Sequence, residues 1–316
     1  MKRIIVIGAN GFIGSYLCDY LLKVGFEVIA VSRKFFQNTK IENRKCRFIE
    51  IDILSEKLIN LEITADAIID LAAPNDIFTK TKPKEAMNLA VFGTKNIMEF
   101  ALKNNIKNVI FFSTLQVYGS ELKGTIDENS KLIPENEYAL NHIFSEEYIK
   151  MYSRNYELNS VVLRPSNIYG RFTHLGIDRW SLVPACFCKE AFYENRITLL
   201  SSGNQKRNFI SLECVSEYCE AILNNFPQGF NILNIASSEY LKIIEVAEIV
   251  KKIYESLYDK EVIIRKKSEL PVETNNFFIK SANLDKYKTN NKPNYNLNTE
   301  IKEIFKKLEV AKNGAE

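Results

Sequence analysis

Residues 4–7 are four aliphatic side chains in a row, and the chain passes from them directly into Gly8-Ala9-Asn10-Gly11-Phe12-Ile13-Gly14. From residue 13 to 24 apolar residues then recur at helical spacing. A buried strand that breaks at glycines and opens into a helix is the first unit of a parallel sheet, because parallel neighbours need a crossover, usually a helix. The three glycines have separate duties. Gly8 admits a tight turn, Gly11 lets a bound pyrophosphate approach the backbone, and Gly14 allows helix and strand to pack closely. Phe12 and Ile13 start the helix, whose free N–H groups and dipole favour an anion. Three of the twelve glycines in 316 residues stand in this loop, so a dinucleotide cradle outranks a merely convenient turn.

The same rhythm continues. Apolar runs at residues 27–31, 47–51, 67–71, 108–113 and 160–164 read as buried strands, and helical spacing at 85–104 and 139–154 reads as crossover helices. The expected fold is α/β: a doubly wound parallel sheet of the Rossmann type, at least six strands wide, with a smaller α/β substrate lobe. After Tyr169-Gly170 the pattern changes to a loop, helices near 182–193, 243–258 and 299–308, and short strands near 197–199, 208–210, 230–235 and 262–265. Residues 1–168 are expected to form the dinucleotide domain, with 209–235 added back to it. Residues 169–208 and 236–316 are expected to form the substrate lobe, with a cleft between the two bodies.

Charge and composition exclude several partners. Lys plus Arg number 42 against 39 Asp plus Glu, a formal +3. That balance does not suit a protein bound through nucleic-acid phosphates. No run of about eighteen apolar residues is present to cross a bilayer, so no membrane partner and a cytoplasmic location are expected. Six cysteines show no CxxC spacing and only two histidines occur, so no metal site is expected and the thiols read as reduced.

The end of the second strand bears on which dinucleotide is bound. An acidic side chain there would take the adenosine ribose hydroxyls of NAD, but the chain reads Val31-Ser32-Arg33-Lys34. Ser32 and Arg33, with Lys34 beside them, suit a 2′-phosphate. NADP(H) is therefore expected over NAD(H). A solvated Arg33 in an NAD(H)-binding protein stays the open alternative.

Further blocks follow in order along the chain. They are Asp52-Ile53 after the third strand, Asp70-Leu71-Ala72-Ala73 after the fourth, Asn88 with Gly93-Thr94-x-Asn96, and Ser113-Thr114-Leu-Gln-Val-Tyr118-Gly119. Tyr138-Ala-Leu-Asn-His142, Arg164-Pro165-Ser-Asn167-x-Tyr169-Gly170 and Arg207-Asn-Phe-Ile210 come after them. Together with the glycine loop the chain resembles, nearly end to end, the extended short-chain dehydrogenase/reductase family, in its branch acting on nucleotide-activated sugars. The resemblance implies that Asp52 and Ile53 border the adenine and that Leu71, Ala72, Ala73, Asn88 and Pro165 border the cofactor. Thr114 would hydrogen-bond the reacting sugar oxygen. Tyr138 would be the general acid/base, and His142 would hold the nicotinamide ribose. Asn167 and Arg207 would contact the diphosphate of a nucleotide sugar, although a surface salt bridge is an equally ordinary role for Arg207. The resemblance also implies a homodimer, through the helix after Gly93 and the helix carrying Tyr138.

Three departures from the family pattern are chemical. Asp70 stands where the loop over the cofactor has histidine. Family members that dehydrate sugars carry an Asp-Glu pair directly after the catalytic threonine, whereas Leu115 and Gln116 stand here. Neither moves a proton, so dehydration is disfavoured. Third, His142 replaces the lysine of YxxxK, whose ammonium in the family both holds the ribose and lowers the tyrosine pKa. A mostly neutral imidazole forfeits much of that charge, so Tyr138 is expected to stay protonated, the form that donates a proton to a carbonyl. The expected activity is NADPH-dependent reduction of a nucleotide-linked keto-sugar, of the 4-keto-6-deoxy class, in surface polysaccharide precursor synthesis. An NAD-dependent 4-epimerase and a catalytically silent dinucleotide-binding regulator are the alternatives.

Overall fold

The computed structural model describes residues 2–35, 45–174, 176–268, 276–287 and 297–314. Strand β1 (Arg3–Ile7) leads through the glycine loop into helix α1 (Phe12–Lys23), and β2 (Glu27–Ser32), β3 (Cys46–Glu50), β4 (Ala67–Asp70) and β5 (Asn108–Phe112) follow. With the later strands Asn159–Pro165 and Phe230–Ile235 they build one parallel sheet. Its order is Phe230–Ile235, Asn159–Pro165, β5, β4, β1, β2, β3. Seven strands stand where at least six were expected. From β1 the chain moves outward through β2 and β3, then returns to place β4 on the other side of β1, with Ile7 opposite Val31 and Asp70. The direction reverses between β1 and β4, so a crevice opens beyond their carboxyl ends.

The sheet is apolar because both of its faces are covered. Ile4 and Val6 point to one face, where Leu17 and Leu21 of α1 meet Val215 and Cys219 of the helix Leu212–Asn224. Ile5 and Ile7 point to the other, against Ile97, Met98 and Ile149. That alternation follows from the two-residue period of a strand. A further core joins the helices Val183–Glu194, Ile243–Tyr258 and Leu297–Lys312 with the paired strands Arg196–Leu199 and Ile263–Lys266. Phe12 and Tyr16 of α1 are buried in it, which ties this lobe to the glycine loop.

Several local expectations need correction. The expected single helix over 85–104 is an α-helix Pro83–Asn88, a π-helical segment Leu89–Gly93 and an α-helix Thr94–Lys103. Widening the turn leaves the Ala90 carbonyl to the Ser145 hydroxyl, which donates to it at 2.8 Å. The helix carrying Tyr138 spans Glu137–Tyr156, starting earlier than residue 139 because the Asn136 side chain caps it, accepting from the Ala139 N–H at 2.8 Å. The last helix extends beyond 299–308 at both ends, since apolar spacing reveals only the core-facing residues Ile301, Ile304, Phe305 and Leu308. The helix Leu212–Asn224 was not anticipated. Its buried apolar residues, Leu212, Cys214, Val215, Cys219, Ile222 and Leu223, fall between two short strands.

Candidate active site

The loop after β1 is held to the end of β2: the Gly8 and Ala9 N–H groups donate to the Val31 carbonyl at 2.9 and 3.1 Å. Gly8 has φ +83°, a conformation that favours glycine. A Cβ on Gly14 would lie 2.3 Å from the Gly8 carbonyl oxygen, so no larger residue fits there. Helix α1 starts at Gly11 with neither a side-chain cap nor an acidic residue in its first turn. Its leading N–H groups are therefore open to an anion.

A cavity of about 680 Å³ begins at this loop and ends at Tyr138 and His142; Ser113 lines it, while Thr114 beside Ser113 does not. Gly8, Gly11, Phe12, Ile13, Gly14, Ser32, Arg33, Ile53, Leu71, Ala72, Ala73, Tyr138 and His142 line it. Arg33 and Lys34 are exposed at its rim, and the Asn10 amide donates to the Lys34 carbonyl at 2.9 Å. Ile53 is held by Asn96, whose amide donates to the Ile53 carbonyl at 2.8 Å, and it packs where a Cβ on Gly93 would be 2.5 Å from its Cδ1. The spacing of Gly93 and Asn96 thus has a local cause.

Thr114 caps the short helical turn Leu115–Tyr118, its hydroxyl accepting from the Gln116 N–H at 3.2 Å. The Tyr138 hydroxyl meets the Thr114 hydroxyl and the Arg179 guanidinium. Burial pushes the Tyr138 pKa up, and the Arg179 charge and the Thr114 hydroxyl pull against it. The His142 ring packs edge-on to the Tyr138 ring at 4.7 Å between centroids. Burial, and then the charge of Arg179, holds the His142 pKa down at about 4, so the imidazole is neutral. Both of its ring nitrogens are buried without a hydrogen-bond partner. Buried polar atoms in that condition are rare, and His142 is one of the residues that line the cavity.

Beneath the turn lies a buried ion pair. Arg164 bonds both carboxylate oxygens of Glu146, Ser113 donates to the same carboxylate, and Arg164 Nη1 donates to the Tyr118 hydroxyl at 2.7 Å. With the Tyr118 hydroxyl donating to Asn234 Oδ1 at 2.8 Å, Ser113 and Tyr118, on either side of Thr114, are tied to the strands Asn159–Pro165 and Phe230–Ile235 and to the helix Glu137–Tyr156.

Other candidates lie outside the cavity. Asp52 uses its carboxylate to accept from the Leu54 N–H at 2.9 Å. Asn88 ends its helix, half-buried, and Pro165 ends its strand, buried. Asn167 donates to the Asn208 carbonyl at 2.8 Å, in the three-stranded sheet that also carries Arg207. Arg207 is half-buried, and burial pushes its pKa down. Asp70, whose carboxylate accepts from the Ala72 N–H at 2.9 Å, is pushed up by burial to about 6. Sequence reasoning missed Arg179. It sits in the loop between Gly170 and the helix Val183–Glu194, lines the cavity and pairs with Asp76 at 3.9 Å. No motif marks it.

The geometry agrees with the comparisons. The profile of the NAD dependent epimerase/dehydratase family matches residues 4–236. The chain belongs to that family and so to the extended short-chain dehydrogenase/reductase enzymes. It is 29% identical over 265 residues to a protein of Methanocaldococcus jannaschii named, provisionally, a UDP-glucose 4-epimerase, covering 81% of this chain and 85% of that one. It is 25% identical over 274 residues to the dTDP-D-glucose 4,6-dehydratase of Mus musculus, covering 82% and 75%. Among solved structures, a UDP-N-acetylglucosamine 4-epimerase from Methanobrevibacter ruminantium superimposes with TM-score 0.84 at 20% identity, over 98% of this chain and 99% of that one. A UDP-glucuronic acid 4-epimerase from Bacillus cereus, in complex with NAD, does so with TM-score 0.81 at 21% identity, over 98% and 96%.

Proposed function

We propose that the protein is an NADPH-dependent reductase of a nucleotide-linked keto-sugar of the 4-keto-6-deoxy class, serving surface polysaccharide precursor synthesis. The observation that carries this reading is the meeting of the Tyr138 and Thr114 hydroxyls beside a cavity that runs back to the glycine loop. The residues present fit a dinucleotide. The uncapped start of α1 would take its pyrophosphate, Ser32 and Arg33 its 2′-phosphate, and the orphaned nitrogens of His142 its ribose hydroxyls. When bound, the nicotinamide supplies hydride to the carbonyl carbon of the sugar. Tyr138 then gives its proton to the carbonyl oxygen, and Thr114 hydrogen-bonds that oxygen and polarises it. Burial keeps Tyr138 in the protonated form that this direction needs. Arg207, with no carboxylate beside it among the described residues, and Asn167 would bind the diphosphate. In this reading residues 1–168 with 209–235 serve the dinucleotide, and 169–208 with 236–316 serve the sugar nucleotide.

A 4-epimerase is the second reading. It is favoured by the Arg179 guanidinium at Tyr138, since an epimerase must accept the proton as well as return it, and by the names of the relatives. Leu115 is buried and Gln116 is engaged by Asn136, so neither reading includes dehydration. A homodimer accompanies both. The helices that would meet are Thr94–Lys103 and Glu137–Tyr156; Leu140 and Met151 on the second are exposed apolar side chains, as are Met87 and Phe92 in the two segments leading into the first.

The test is one panel of reactions. NADPH with a dTDP-4-keto-6-deoxy sugar should be consumed, UDP-glucose without added cofactor should not be epimerised, and a nucleotide 6-hydroxy-hexose with NADP+ should give no 4-keto-6-deoxy product. Epimerisation of UDP-glucose would move the assignment to the second reading. Formation of the 4-keto-6-deoxy product would overturn the reasoning from Leu115 and Gln116.

A further inference from the structure

In the family pattern one lysine performs two tasks, holding the ribose and placing a positive charge by the catalytic tyrosine. Here that position is a histidine, yet Tyr138 is not left without a cation. Arg179, from the loop ahead of the helix Val183–Glu194, lines the same cavity as Tyr138, and its charge acts on the Tyr138 hydroxyl. We propose that this protein divides the lysine's work: the neutral imidazole of His142 holds the cofactor ribose, and Arg179 stabilises the Tyr138 oxygen as it gives up and regains its proton. The proposal deepens the reading given above and rests on it for the role of Tyr138.

The two halves of the division require each other. A guanidinium stays charged at every working pH and presents several donors in a fixed fork, so it can face a phenolic oxygen and a carboxylate together. Its carboxylate partner, Asp76, is 3.9 Å away and half-exposed, too loose a pair to consume the charge. The groups that act on the Tyr138 hydroxyl are Arg179, Thr114 and Asp76, and His142 packs against the ring. A second cation at position 142 would be buried and would face Arg179, and the charge of Arg179 already disfavours protonation of His142. A cation at 179 thus excludes one at 142. The imidazole keeps two nitrogens for hydrogen bonding and leaves the charge to the loop. The family lysine introduced by His142→Lys should therefore be of use only when Arg179 is removed.

The test replaces Tyr138 with 3,5-difluorotyrosine, whose lower intrinsic pKa brings its ionisation into the stable pH range, and follows that one residue by 19F NMR titration. Removing this charge should move the midpoint up by at least about one pH unit in Arg179→Gln. Arg179→Lys should keep the midpoint, and the double variant Arg179→Gln/His142→Lys should restore it. Asp76→Asn, a half-exposed site that should fold normally, should lower the midpoint by removing a negative charge that acts on the Tyr138 hydroxyl. NADPH affinity, read by fluorescence, should change little in Arg179→Gln and fall about ten-fold or more in His142→Ala, the scale of a lost pair of hydrogen bonds. An unmoved midpoint in both Arg179→Gln and Asp76→Asn overturns the proposal, as does a shift that neither lysine variant repairs. The titration contains no sugar, so failure of the keto-sugar assignment would leave its outcome unchanged.

Discussion

Arg164 and Glu146 form a two-point ion pair in the interior, with side chains only 2% and 3% exposed and Nε to Oε1 at 3.0 Å. The pair is the floor of the candidate active site, because Ser113 and Tyr118 are bonded to it and Thr114 lies between them. Charges buried this deeply are favourable only while they satisfy each other. Glu146→Gln should strand the guanidinium and lower stability by about 3–5 kcal/mol, while Arg164→Met/Glu146→Leu should recover most of the loss. Urea melts of the three proteins decide the matter; equal stability of the single and double variants would show that the pair itself is not the source.

The buried Asp70 should make stability depend on pH. Its folded pKa of about 6 lies above the ordinary 3.8, so the folded state holds the proton more tightly. Stability from this group is complete below the ordinary value and is lost as pH rises through the folded one, by about 3 kcal/mol at most. His142 has the opposite slope, since its folded pKa of about 4 lies below the ordinary 6.5: its contribution is present above the ordinary value and lost on acidification. Comparing Asp70→Asn with the unchanged protein cancels the histidine. The variant should gain relative stability between pH 4 and 7, and a difference that is flat over this window counts against the shift.

Tyr138→Phe should reduce turnover by roughly 10²–10⁴-fold, the usual loss of a general acid, with NADPH affinity nearly intact. Stopped-flow and equilibrium binding separate the two effects. A variant that keeps its activity would remove Tyr138 from the role of general acid.

Arg33 stands exposed at the cavity rim and makes no ion pair among the described residues, so its charge is available to a ligand. NADPH should bind more tightly than NADH, and Arg33→Ala should remove about 1.5–3 kcal/mol of that preference, the value of a hydrogen bond to a charged group. Calorimetry giving equal affinities for the two cofactors in the unchanged protein would reject the NADP(H) assignment.

Local chemistry was enough for the glycine loop, the strands that pass through the core and the order of the motif blocks. Each of these depends on neighbours in sequence: Gly8 on its own φ, residues 4–7 on burial at both faces, Gly14 on a carbonyl six residues back. The segment around Thr114 was legible only through the resemblance; that it is a helical turn capped by Thr114 emerged from the structure. Residues joined only by the fold were not legible. The π-helical segment depends on Ser145, more than fifty residues away, and the ion pair under Thr114 joins a helix to a strand. Arg179 is the clearest instance. Taken alone it is a loop arginine next to an aspartate, and the replacement of the family lysine by His142 reads as a charge lost. Only the tertiary structure returns a charge to Tyr138, because Coulomb interaction follows distance in space and takes no account of separation along the chain.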